Sequence, residues 1–116
     1  MADRNATAVE KVAYLNTKIG PTLTAASIGI RDRSIISIAP ENLEEILSIE
    51  QKLRLDALLE VWTTVSNSEG DDIARAWMIG ANPWLNDESA VTALREDRFK
   101  QVTVAARAMV EDTPNF

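Results

Sequence analysis

Hydrophobic residues recur at every third or fourth position in several stretches of the chain, and this spacing places side chains on one face of an α-helix. The first such stretch predicts a helix over residues 6–19. Its apolar face consists of Val9, Val12, Leu15 and Ile19. The Gly20-Pro21 pair then ends this helix, because glycine tolerates the backbone turn and proline cannot continue it.

The longest hydrophobic pattern follows Pro40 and predicts a single helix from about Glu41 to Ser66. A proline in the first turn and acidic residues close behind it are typical of a helix start. This helix would bridge the two ends of the chain, and its surplus of apolar positions predicts a homodimer or a stable hetero-oligomer. We expect Ile49 and Leu55 to form a seam between subunits, and Leu59 to contact the flanking helices.

Residues 22–39 predict two short helices around a glycine turn. A helix-turn-helix needs a small residue where its helices cross and a glycine four residues later. Apolar residues should follow six and nine positions after that glycine, on the buried face of the second helix. These positions hold Ala25, Gly29, Ile35 and Ile38. The stretch therefore resembles an Xre-like helix-turn-helix.

The turn and the second helix contain the candidate DNA-binding residues, which are Arg31, Arg33, Ser34 and Ser37. Arginine can read guanine or bind phosphate. Asp32, between the two arginines, would repel phosphate, and Ile36 is expected near the exposed face. Two interpretations stay open: the second helix reads an operator, or it is a remnant that only packs.

An Asn82-Pro83 pair interrupts the last third of the chain, because proline fixes its own φ and restricts the residue before it. A helix that starts at Asp71-Asp72 should therefore end near Gly80. The chain restarts at residues 87–89, whose side chains can accept hydrogen bonds from free backbone amides. A short helix over residues 89–95 and a last helix over residues 99–110 follow. The predicted fold class is all-α, with six or seven helices.

The order of residues in this last third resembles the toxin-binding module of Xre/MbcA/ParS-type antitoxins. The positions that carry the resemblance are Trp77, Asn82-Pro83, Leu85, the Glu88-Ser89 restart, Leu94 and Phe99. Two positions depart from the family pattern: no proline follows Ser89, and Asn86 stands where glycine is common.

The resemblance implies a type II antitoxin whose partner is a RES-domain toxin, an enzyme that degrades NAD. It also implies that the C-terminal module covers the toxin's NAD pocket. Aromatic residues often carry interface energy. The expected toxin-binding residues are Trp84, Leu85, Arg98, Phe99 and Phe116. Trp77, by contrast, is expected to pack in the core.

Charge is unevenly spread over the chain, whose formal net charge is −6. Residues 1–40 carry five Lys or Arg and three Asp or Glu, whereas residues 41–116 carry seven and fifteen. An acidic body disfavours non-specific binding of nucleic acid. It suits a basic partner, such as a cleft that binds a dinucleotide phosphate. Operator DNA, if it is a partner, should contact the first forty residues.

The composition excludes several kinds of catalytic and metal site. The chain has no cysteine and no histidine, which removes the usual zinc sites and Ser-His-Asp triads. Acidic pairs such as Glu44-Glu45 and Asp71-Asp72 are adjacent in sequence, so their members diverge on a helix. The four glycines are scattered and form no phosphate loop. We therefore expect a protein that is not an enzyme and needs no cofactor and no metal.

Three units are predicted: residues 1–40 as a helix-turn-helix-like part, intact or degenerate, residues 41–69 as the long connecting helix, and residues 70–116 as the toxin-binding-like module. Neutralisation is expected to reside in the last unit and to need none of the first forty residues. The first residues lack an apolar signal core and no apolar run is long enough for a membrane span, so a cytoplasmic protein is expected.

Two other functions stay open from the sequence. One is a phage- or operon-encoded helix-turn-helix transcriptional regulator that dimerises through its C-terminal part. The other is an adaptor for a different partner.

Overall fold

The computed structural model describes residues 5–111, and within this range the chain is all-α with no β-strand. The fold class predicted from the sequence is confirmed. The helices are α1 (Ala8–Lys18), α2 (Gly20–Ile28), α3 (Arg33–Ile38), α4 (Leu43–Ile46), α5 (Ile49–Glu69), α6 (Asp71–Ile79), α7 (Ala90–Arg95) and α8 (Phe99–Glu111). A single 3₁₀ turn, Pro83–Leu85, lies between α6 and α7. None of the described helices is long and apolar enough to cross a membrane.

Helix α5 is the central element, and it contacts α1, α2, α6, α7 and α8. Its buried side chains are Leu55, Leu58, Leu59, Val61, Trp62 and Val65. The helix starts at a capping box, in which the Ser48 hydroxyl accepts a hydrogen bond from the Gln51 amide at 3.1 Å. The Gln51 side chain in turn accepts one from the Ser48 amide at 2.9 Å. This reciprocal pair satisfies two backbone donors and fixes where α5 begins.

The single helix predicted from Glu41 to Ser66 is wrong, because the structure divides it into α4 and α5. Leu47 is extended, with φ of −73° and ψ of 135°, and separates the two helices. The capping box at Ser48 explains the break. The hydrophobic spacing runs through the break without interruption, so the spacing did not reveal it.

The predicted subunit seam is also partly wrong. Leu55 is buried inside the molecule and cannot contact a second subunit, whereas Ile49 is exposed. Leu59 is buried against the flanking helices, as expected. Helix α5 therefore uses most of its apolar surface within the chain.

The helices predicted around Gly29 are present, and Gly29 has a φ of +80°, the left-handed conformation that glycine adopts readily. Within α3, however, Ile36 is buried, Ile35 is half-buried and Ile38 is exposed. The prediction that Ile38 lies on the buried face and Ile36 near the exposed one is wrong. The amide of Asn16 donates a hydrogen bond to the Ile36 carbonyl at 2.8 Å and ties this face of α3 to α1.

One hydrophobic core joins the three predicted units, and polar contacts reinforce the connection. Helix α2 lies against α7. Arg54, on α5, binds Asp97 with two hydrogen bonds of 2.8 and 3.2 Å and donates a third to the Ile28 carbonyl at 3.1 Å. Lys18 binds Asp71 at 2.9 Å. The expectation that residues 70–116 act without the first forty does not fit this packing, because deletion would expose the α7 face that α2 covers.

Candidate functional site

The segment between α6 and α7, residues 82–88, is held in one conformation by hydrogen bonds around Asn82, and we call it the Trp84 loop. The Asn82 side-chain oxygen accepts a hydrogen bond from the Trp84 amide at 3.0 Å. Its carbonyl accepts from the amides of Leu85 and Asp87, both at 2.9 Å, and its own amide donates to the Glu88 carbonyl at 3.1 Å. These bonds close the loop on itself and preorganise its side chains.

Two residues of the Trp84 loop adopt the left-handed backbone conformation. Asn86 has a φ of +57° and Asp87 a φ of +66°. Asn and Asp tolerate this region better than most residues with a side chain. Both residue types therefore suit the tight path of the loop.

Trp84 is the predicted toxin-binding residue that the structure places most clearly on the surface, since its exposed fraction is 61%. The next residue, Leu85, is almost fully buried in the core, and the turn that carries both residues lies against α8. The prediction that Leu85 contacts a partner is therefore wrong. Its burial anchors the loop, and this anchor directs Trp84 toward solvent.

Arg98, directly before α8, forms ion pairs with carboxylates of the same chain. Its guanidinium binds the Glu88 carboxylate at 2.6 Å and the Glu96 carboxylate at 3.1 Å. Because Glu88 belongs to the Trp84 loop, Arg98 fixes the loop to α8. Phe99, another predicted contact residue, is half-buried against the core. Phe116 lies outside the described residues.

Exposed apolar residues also lie on α6, and the hydrophobic pattern did not select them. Ile73 and Ile79 are exposed on α6, the helix that leads into the loop. The signal that could have found them is their position away from Ala74 and Met78, which form the buried face of α6. Trp77 is half-buried against the core, in keeping with its expected packing role.

The candidate DNA-binding residues on and before α3 are all exposed: Arg31, Arg33, Ser34 and Ser37. Two of them are already engaged. The Arg33 guanidinium donates to the Thr22 hydroxyl at 3.1 Å, and the Ser34 amide donates to the Asp32 carboxylate at 3.0 Å.

The Asp32 carboxylate caps α3, and its bonds to Ser34 keep it charged. The hydrogen bond from the Ser34 hydroxyl, followed by that from the Ser34 amide, lowers the pKa of Asp32 below its ordinary value. A fixed negative charge therefore sits between Arg31 and Arg33, where DNA would bring phosphates.

Comparison of the chain with models of known protein families, with curated proteins and with solved structures found no match. Its function has to be inferred from its residues and their geometry. Within residues 5–111, no three His, Cys, Asp or Glu side chains are grouped so that they could hold a metal ion.

Proposed function

We propose that the chain is the antitoxin of a type II toxin–antitoxin pair and neutralises a RES-type toxin by covering its NAD-degrading active site. The observation that supports this most strongly is the exposure of Trp84 on a loop fixed by hydrogen bonds. Tryptophan is among the residue types most enriched in binding hot spots. A side chain whose backbone is already ordered also loses less entropy on binding.

The position of Trp84 in the chain supports the same function. The Trp84 loop lies inside the stretch that resembles the toxin-binding module, between Trp77 and the Glu88-Ser89 restart. The Asn82-Pro83 pair of that pattern suits the loop, because the Asn82 side chain accepts a hydrogen bond from the Trp84 amide and Pro83 starts the 3₁₀ turn.

The charge of the chain suits the proposed partner. Residues 41–116 carry fifteen acidic and seven basic residues. Lysines or arginines in a cleft can hold the phosphates of NAD, and an acidic surface complements a cleft of that charge. In this proposal the chain acts by binding alone, so it is not an enzyme and needs no cofactor.

The alternative, a helix-turn-helix regulator, has weaker support. Helix α3 is only six residues long and presents Ile38 to solvent, and its capping carboxylate, Asp32, stands between the two arginines. Operator binding as a second role stays a prediction. If it is correct, the chain should retard the DNA upstream of its gene in a gel-shift assay. Arg31→Ala should then weaken DNA binding and lower the salt dependence of the affinity.

The proposal predicts that a gene for a RES-domain protein adjoins that of this chain, and the protein that this gene encodes is the test partner. Purified toxin is mixed with increasing amounts of the chain, and NAD consumption is followed together with complex formation by size-exclusion chromatography. We expect a stable complex to form. The rate of NAD consumption should fall toward zero as the molar amount of the chain approaches that of the toxin. A toxin that consumes NAD at its full rate beside an excess of the chain, or the absence of any such neighbouring gene, would refute the proposal.

A further inference from the structure

A second exposed apolar surface lies where α4 ends and α5 begins. It consists of Ile46, Ile49 and Leu53, whose exposed fractions are 42%, 74% and 52%; we call it the α4–α5 patch. Ile49 and Leu53 are four residues apart on α5 and therefore form one ridge. Clustered apolar side chains of this kind on a surface are typical of an interaction site.

The α4–α5 patch is held in place by its surroundings. The capping box of Ser48 and Gln51 fixes the start of α5, directly beside Ile49. Leu43 and Leu47 on either side of Ile46 are buried in the core. The backbone that carries the patch is therefore anchored even though its three side chains are exposed. Because this backbone is already ordered, less conformational entropy is lost when a partner binds.

The segment that carries the α4–α5 patch is rich in acidic residues, and we call its exposed Glu45, Glu50 and Glu60 the acidic rim. Residues 41–60 include six acidic residues and two basic ones, and both basic residues are already paired. Lys52 lies 3.6 Å from Glu44, and Arg54 binds Asp97.

The carboxylates that form no ion pair give the rim a negative electrostatic potential. Among residues 5–111, neither Glu45 nor Glu60 forms an ion pair. Glu50, next to Ile49, is exposed and likewise forms no ion pair among these residues.

We propose that the α4–α5 patch is a docking site for a basic amphipathic helix of a partner protein. Its apolar stripe would pack across the ridge of Ile49 and Leu53, as in other helix-recognition surfaces. Lysines or arginines beside that stripe would face Glu45, Glu50 and Glu60. A second copy of this chain fits less well, since pairing two identical patches would bring the acidic rims together.

The experiment uses the full chain and a labelled helical peptide of about 18 residues, long enough for measurable helicity. The peptide carries leucine at the a and d positions of each heptad and lysine elsewhere, and its counterpart carries glutamate in place of lysine. Binding is measured by fluorescence anisotropy at low salt, and circular dichroism checks that each variant is folded. The lysine peptide should bind and the glutamate peptide should not.

Matched variants locate the contact on the surface. Ile49→Ser and Leu53→Ser should each weaken binding about tenfold or more, because each removes an apolar side chain that the peptide would bury. Ile73→Ser, on α6, removes an exposed isoleucine elsewhere and should leave binding unchanged. Glu45→Gln and Glu60→Gln should weaken binding and reduce its salt dependence, whereas Glu111→Gln on α8 should do neither.

Three results would overturn the docking site. The first is that the lysine peptide binds the Ile49→Ser and Leu53→Ser variants as tightly as the unchanged chain. The second is that both peptides bind equally well, or that neither binds. The third is self-association of the chain, measured by sedimentation, that these two substitutions abolish, which would make the patch a seam between copies.

Discussion

The orientation of α3 yields a sharp prediction, because the structure and the hydrophobic spacing place different isoleucines in the core. Ile36→Ala removes three carbons from a fully buried site, which costs about 2.4 kcal/mol of transfer free energy at ~0.8 kcal/mol per carbon. The cavity that remains raises the total to about 2–5 kcal/mol. At roughly 4 °C per kcal/mol for a chain of this size, the Tm should fall by about 8–20 °C.

Ile38→Ala is the matched control, since it removes the same three carbons two residues later. Ile38 is 73% exposed, so only about a quarter of the transfer free energy, roughly 0.6 kcal/mol, is at stake. The higher helix propensity of alanine offsets part of this loss. The assay is thermal unfolding followed by circular dichroism at neutral pH. If Ile38→Ala lowers the Tm as much as Ile36→Ala does, the orientation of α3 described above is wrong.

Three further predictions concern the contacts that join the ends of the chain. Gly29→Ala should lower the Tm more than Gly20→Ala does. The φ is +80° at Gly29 and +85° at Gly20, but only at Gly29 would an added Cβ lie 2.5 Å from Arg54 Nη1 and displace it from its hydrogen bond to the Ile28 carbonyl. The amide that starts α1 donates to Glu44 and lowers the pKa of that carboxyl, so Glu44 stabilises the fold above its ordinary pKa of 4.5 and loses this effect as the pH falls. The Tm difference between the unchanged chain and Glu44→Ala should therefore shrink under acid conditions; a constant difference would contradict the contact. A fragment of residues 41–116 should lack a cooperative thermal transition, because α7 loses its contact with α2.

Features that depend on local chemistry were predictable from the sequence. Helix boundaries lie directly before Gly20-Pro21, at Gly29 and before Asn82-Pro83, where the backbone preferences of glycine and proline favour them, and Gly20 and Pro21 themselves form the first turn of α2. Ser89 caps α7, as its side chain suggested. The all-α class and the approximate bounds of most helices follow from these breaks and from the apolar spacing between them.

Features that depend on packing were not predictable. Residues 35, 36 and 38 are all isoleucine, so their hydrophobicity cannot select the buried one, and the contacts of α3 with α1 and α2 decide it. Leu55 and Leu85 seemed available to partners because nothing local distinguishes them from exposed leucines such as Leu53. The division of the long helix, by contrast, has a local cause, because Ser48 and Gln51 have the spacing of a capping box, a signal that the hydrophobic pattern does not contain.

The candidate site shows the same difference between local and packing effects. The sequence selected Trp84 for its position after a proline, and the structure leaves it exposed. Arg98 was selected as a contact residue, but its neighbours Glu88 and Glu96 engage its charge inside the chain. Which charges are free for a partner depends on pairs that form only in the folded molecule.

The measurement that tests the proposed function most directly is the inhibition of toxin NAD consumption by Trp84→Ala, compared with Trp77→Ala. We expect Trp84→Ala to raise the inhibition constant about 30-fold, which corresponds to roughly 2 kcal/mol of binding free energy, and to leave the Tm almost unchanged. Trp77→Ala should instead lower the Tm, because Trp77 packs against the core. If Trp84→Ala inhibits the toxin as strongly as the unchanged chain, Trp84 is not the anchor of the interface and the proposed mode of neutralisation is wrong.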